Sequence, residues 1–119
     1  MTPIHRGDVW LVSLDPTMGA EIKKTRPAVV ISNDIANQYA ATITVFPVTD
    51  RGDKVFPVEV EIPVKTGGLI KPSKIKCQQI RTVDKLRLVR FLGVLSDRTV
   101  HAVERALCLH LAIDPSVHP

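Results

Sequence analysis

Metal ligands and nucleophiles are scarce in this chain. Its four histidines, His5, His101, His110 and His118, fall at spacings that place no ligand pair on one helix face or one strand. Cys77 and Cys108 form no CxxC unit, so they offer zinc no chelating pair and are expected to be buried and reduced. No HExxH, no GxSxG and no glycine-rich phosphate loop occurs. The expectation is a site with no metal and no cofactor. What the chain does offer is positive charge. Positions 65–90 carry eight basic residues, among them Lys74, Lys76, Arg81, Lys85 and Arg87, against the single acid Asp84, whereas the whole chain is only +4. Such side chains attract phosphates, because each phosphate neutralised releases condensed counterions. The same cluster can also be a plain solvated face, and charge alone does not choose between RNA, DNA and an acidic protein partner. Trp10 and Tyr39 could stack on bases. Trp10, however, lies inside a strand pattern and is expected in the core or at a subunit interface.

The elements that must position these residues are short. With 119 residues, 45% apolar and 24% charged, the chain has enough material for one domain with a real core. It has no apolar run near the roughly 20 residues of a membrane span. It opens without a signal-peptide pattern, so a cytoplasmic protein is expected. Six β-rich runs are separated by proline and glycine punctuation: 8–14, 27–32, 41–48, 58–62, 73–79 and 90–95. The second is almost wholly apolar, as in a strand buried on both faces. The fourth alternates, which predicts Val58, Val60 and Ile62 facing a core and Glu59 and Glu61 facing water. After Ser96-Asp97, an N-cap with an acid in the first turn, Val100, Val103, Leu107 and Leu111 recur at helical spacing, predicting a helix to about Ile113. The fold class expected is mainly β, five to seven short and mostly antiparallel strands forming a small β-barrel with a C-terminal helix packed on it.

Several stretches fall in a specific order: Arg6-Gly7-Asp8-Val9-Trp10, then Leu14-Asp15-Pro16 with Gly19 and Glu21, then Arg26-Pro27-Ala28-Val29-Val30-Ile31-Ser32, then Val48-Thr49, and finally Gln79-Ile80-Arg81-Thr82-Val83-Asp84-Lys85. In this order and spacing the chain resembles the MazF/PemK-like toxins, the ribonuclease halves of bacterial type II toxin–antitoxin pairs. The resemblance implies an SH3-like antiparallel barrel of the MazF/PemK/CcdB-like plasmid toxin type, one domain over 1–119 with its core at 4–114. It also implies a homodimer, and an acidic, partly disordered MazE-like antitoxin that blocks the RNA groove. The implied activity is sequence-specific, metal-independent cleavage of single-stranded RNA, with translation and growth inhibited.

The same resemblance assigns roles. Arg26 and Thr49 are the implied catalytic residues. A guanidinium keeps its charge at every working pH and presents a planar fork matched to phosphate oxygens. A hydroxyl can donate to a phosphate oxygen or accept from a ribose 2′-OH. Residue types alone equally allow Arg26 to pair with Asp8 or Glu21, and Thr49 to bond a nearby turn. Glu21 matches an acidic position of the family loop and is a candidate base, or equally a salt-bridge partner of Arg26. Thr25 stands where other members carry a histidine, which removes one acid. Lys23, Lys24, Lys54, Gln78, Gln79, Arg81, Lys85 and Arg87 are the expected RNA-binding residues, Gln78, Gln79 and Arg81 reading bases and Lys54, Lys85 and Arg87 meeting phosphates. Two rivals remain on the same fold: a nucleic-acid-binding barrel that does not cut, and a gyrase-inhibiting toxin. The second depends on a Trp-bearing C-terminus, whereas positions 115–119 contain no aromatic residue.

Overall fold

The computed structural model describes residues 3–15, 18–21 and 24–117. Seven strands and two helices follow in the order β1 (Asp8–Ser13), β2 (Thr25–Val30), α1 (Asp34–Tyr39), β3 (Thr42–Asp50), β4 (Glu59–Ile62), β5 (Ser73–Lys76), β6 (Arg81–Asp84), β7 (Leu88–Val94) and α2 (Asp97–Leu111). All pairings are antiparallel, and the sheet order is β4-β5-β3-β2-β1-β7 with β6 also on β3. The expected barrel is open in its hydrogen bonding: among the described residues, β4 and β7 end the sheet without pairing to each other.

β3 organises the sheet. One of its edges takes β2, with Ala28 opposite Pro47. The other takes β6 and then β5: Val45 faces Arg81, and Val48 faces Ile75. Three steps along β3 therefore match six along its partner. The three extra residues are looped out as the 3-10 turn Cys77–Gln79, which is why the single run 73–79 becomes a strand and a turn.

The sheet is apolar on both sides. Val9, Val29, Phe46, Val48, Ile62 and Ile75 pack with Val103 and Ala106 of α2 in one cluster. Trp10, Val12, Leu14, Ala28, Val30, Ile43 and Val45 form the other. Ala28, Val29 and Val30 of β2 are fully buried, as their unbroken apolar run predicts. Burying each of the two valines stabilises by about 1.5–3 kcal/mol. Trp10 belongs to the core: its indole N–H donates to Asp8 Oδ2 (3.1 Å), and its ring meets Phe91 edge-on at 5.6 Å. The α2 N-terminus is capped by Ser96, whose hydroxyl accepts from Thr99 N at 3.2 Å. Its end comes at Leu111, two residues before the predicted one, where Ala112 turns left-handed (φ 56°). The turn at Gly67–Gly68 crosses directly over β7: a Cβ on Gly93 would lie 2.6 Å from the Gly67 carbonyl carbon. Only residues without side chains permit that approach.

β4 departs from the expected alternation. Val60 and Ile62 do pack on the first cluster and Glu61 is exposed, but Glu59 is buried. Two lysines from β5 reach it, and a carboxylate so paired can leave water.

Candidate functional site

Arg26 is the second residue of β2, and Thr49 the last but one of β3. The β2–β3 ladder ends at Ala28 opposite Pro47; carried two residues further in the same register, it brings Arg26 abreast of Thr49. Ala28 and Val30 face the second cluster, so alternation puts Arg26 on that same side, and Val45 does the same for Thr49. Arg26 also pairs with Val12, Thr49 with Lys74, and Lys74 with Glu61. With the ladder's register extended, one transverse row reads Val12, Arg26, Thr49, Lys74, Glu61, its Arg26–Thr49 step lying beyond the last paired position. Arg26 is exposed and Thr49 half-buried. Val12, at one end of the row, belongs to the second apolar cluster.

The loop leading into Arg26 is tied to the sheet. Leu14 N donates to Lys24 O (2.9 Å), and Lys24 N to Asp15 Oδ1 (2.9 Å). Lys24 takes a left-handed backbone, φ 68°, which costs a residue with a side chain about 1 kcal/mol. From the far side, Arg81 Nη1 donates to Leu14 O (2.8 Å), and Arg87 Nη1 donates to Ser13 O (3.2 Å) and to Asp15 O. Glu21 Oε1 accepts from Met18 N (3.2 Å), closing its own turn. Asp8 accepts from His5 N and Trp10 Nε1, four residues along β1 from Arg26's partner Val12.

Beside the row lies a buried ionic cluster that the sequence reading missed. The Glu59 carboxylate is fully buried. One oxygen accepts from Lys74 Nζ (2.8 Å) and Phe56 N (3.0 Å); the other accepts from Gln78 Nε2 (3.0 Å) and faces Lys76 Nζ at 3.4 Å. Burial pushes this carboxyl up, and the hydrogen bonds from Lys74, Phe56 and Gln78 outweigh it, so its pKa falls to about 2. Lys74 also donates to Lys54 O (2.9 Å) and lies 5.7 Å from the Phe56 ring centre. The segment 51–58 is thereby held down on β5. Burial raises the neighbouring Cys77 thiol to about 12, with Glu59's charge adding to the effect. The signal that could have revealed the cluster is Ser73-Lys74-Ile75-Lys76, two lysines on one strand face with Glu59 in reach.

The predicted site residues therefore divide. Arg26, Thr49 and Lys24 gather at one end of β3, with Gln78 and Lys54 joined to them through the Glu59 cluster. Arg81 and Arg87 brace the loop, and Gln79 ends the 3-10 turn. Lys85 is elsewhere: its N donates to Ala41 O, at the opposite end of β3 from Thr49, beside a cavity of about 430 Å³ lined by Ile4, His5, Asp34 and Asn37. Tyr39, exposed, is at that far end too. Lys23 lies outside the described residues. Among the described residues no group of three or more His, Cys, Asp or Glu could hold a metal, and no helix is long and apolar enough to cross a membrane.

Known proteins share this architecture. The family model for the PemK-like, MazF-like toxins of type II toxin–antitoxin systems matches residues 5–111. A Mycobacterium tuberculosis protein named endoribonuclease MazF9 is 42% identical over 113 residues, covering 91% of this chain and 96% of the relative. A MazF crystal structure from Deinococcus radiodurans superposes with a TM-score of 0.82 at 24% identity, covering 94% of this chain and 99% of the other. A mycobacterial endoribonuclease in complex with its cognate antitoxin superposes at 0.77 and 21% identity, covering 93% and 97%. At such identities the structural likeness speaks for the fold; the family rests on the model match and the 42% relative. By these two findings, the chain belongs to the PemK-like, MazF-like toxins of type II toxin–antitoxin systems.

Proposed function

We propose that this toxin is a metal-independent endoribonuclease that cuts single-stranded RNA at Arg26 and Thr49. The observation that supports the reading is that Arg26 and Thr49 lie at matching ends of neighbouring strands, each two residues beyond the last paired position, on one sheet face. The RNA's own 2′-OH attacks the adjacent phosphorus, a new P–O2′ bond forms, and the P–O5′ bond breaks. The 2′ proton leaves, the departing 5′ oxygen takes one up, and the products are a 2′,3′-cyclic phosphate and a 5′-OH. Negative charge gathers on the phosphoryl oxygens in the transition state, and Arg26 stabilises it there. Thr49 orients the 2′-OH or a phosphate oxygen. Glu21 serves as base only if its turn brings the carboxylate to the 2′-OH; otherwise it supports the loop. Lys24 and Lys54 meet flanking phosphates and Gln79 reads bases, whereas the Gln78 amide is turned inward, its Nε2 on Glu59 and its Oε1 buried. The working form is a cytoplasmic homodimer restrained by an acidic antitoxin, as the antitoxin-bound mycobacterial relative suggests. The RNA class and the cleavage sequence follow from base contacts along this face.

The test is cleavage in EDTA. A single-stranded RNA is expected to be cut and the DNA of the same sequence left intact, because only RNA brings the nucleophile. Loss of activity on chelation overturns the metal-free mechanism, and equal cutting of DNA overturns 2′-OH attack.

A further inference from the structure

The ionic cluster beside Thr49 has an odd charge economy for a face that meets a polyanion. Lys74 stands opposite Thr49 and Lys76 lies one pleat further, both on the side that carries Arg26. Two lysines there should be ready-made phosphate contacts. Instead both ammoniums turn to the Glu59 carboxylate, and their side chains are only 11% and 24% exposed. Lys74 spends a second donor on Lys54 O. The same carboxylate takes the Nε2 of Gln78 and so fixes which way that amide points. A cation already neutralised inside the protein releases no counterion when RNA arrives.

We propose that Glu59 is a specificity-determining residue of the RNA face: as a buried counter-charge it withdraws Lys74 and Lys76 from phosphate binding. Backbone contacts bind every sequence alike, whereas base contacts discriminate. Removing two backbone grips beside the cutting residues lowers the affinity for all RNA and leaves a larger share of binding to the base readers. The inference rests on the ribonuclease reading above.

The test is the salt dependence of binding to a mixed-sequence 2′-O-methyl oligoribonucleotide, which lacks the nucleophile and stays intact. In Glu59→Gln, the released lysines add phosphate contacts. The slope of log K against log salt steepens by about 0.7 for each cation gained, worth about fivefold in affinity at 0.1 M salt. Discrimination between cleaved and uncleaved RNA sequences narrows in parallel. Loss of structure alone would weaken binding and flatten the slope. Lys76→Met, which leaves Lys74 on the Glu59 carboxylate, supplies the second arm in the folded variant: the slope stays at the wild-type value, because that charge was never offered to RNA. An unchanged or shallower slope in folded Glu59→Gln, or a fall of about 0.7 in Lys76→Met, overturns the proposal. A wild-type chain that neither binds this probe nor cuts RNA overturns the functional reading instead, and the inference with it.

Discussion

Acid should strip stability from this fold through Glu59, by an amount the structure sets. Its carboxyl titrates near 2 in the folded chain and near the ordinary 4.5 when unfolded. Because the folded value is the lower one, the stabilisation is complete above about 4.5 and fades as pH falls towards 2. The difference corresponds to about 3 kcal/mol. By pH 3 about 2 kcal/mol of it is gone. Other carboxylates titrate over the same range, so the clean measurement is a comparison with Glu59→Gln. At pH 7 that variant leaves two ammoniums beside a neutral amide and loses about 3–5 kcal/mol, the usual cost of breaking a buried pair from one side. At low pH the wild-type side chain is itself neutral and nearly the same shape. The gap between the two proteins should therefore shrink by about 2 kcal/mol between pH 7 and pH 3, as read from urea unfolding midpoints with the slopes checked for constancy. A gap that stays constant across that range would refute a charged, network-bound Glu59.

Three further outcomes can be checked with ordinary methods. Arg26→Ala should keep its circular dichroism spectrum and lose RNA cleavage by about 10²–10³-fold, the usual cost of removing one transition-state donor; a fully active variant rules out the proposed centre. Gly93→Ala should lower stability by about 2 kcal/mol or more, because its methyl would meet the backbone of Gly67 and Gly68 within 2.7 Å. Gly52→Ala, with open space around it and φ 64°, should lose only about 1 kcal/mol, and equal losses in thermal melts would contradict the crossing. In solution the 13.1 kDa chain should run as a dimer of about 26 kDa by light scattering; a monomer that cuts RNA removes the need for a partner subunit.

The sequence made some of this legible and hid the rest for physical reasons. A short, valine-rich apolar run that follows a proline and ends at Asn33-Asp34 fits a strand covered on both faces, so β2 could be read directly. The Ser96 cap and helical spacing placed α2 to within two residues of its end. Strand ends were readable for Arg26 and Thr49, because Pro27 marks one entrance and Asp50-Arg51-Gly52 the other exit. That the two strand ends belong to neighbouring strands was not, since strand order and register depend on the whole sheet. Glu59 was misplaced because alternation in a four-residue strand says which residues share a face, not which face is dry. Lysines 15 and 17 positions downstream decided that. The break in 73–79 was hidden for a related reason: it exists only relative to β3. Lys85 looked like its basic neighbours in the sequence, yet the antiparallel turn of β6 carries it to the far end of β3.

Stabilising a developing charge with a single guanidinium works only when the donor is already in place, since reorganising it during the reaction would consume the gain. Long arginine side chains resist such fixing, so the support must come from the backbone on each side. Here Pro27 restricts the residue before it, the ladder to Val12 holds the strand, and Arg81 and Arg87 clamp residues 13–15 at the base of the preceding loop. Those two arginines belong to the basic stretch whose charge first pointed to phosphate. Their donors go to backbone carbonyls, as those of Lys74 and Lys76 go to Glu59 and those of Lys74 also to Lys54. Half of the eight basic residues of positions 65–90 therefore act as scaffold. If cutting by this chain depended on gathering cations around the phosphate, these side chains would point the other way; their inward ties favour a site that gains its rate from one well-held cation.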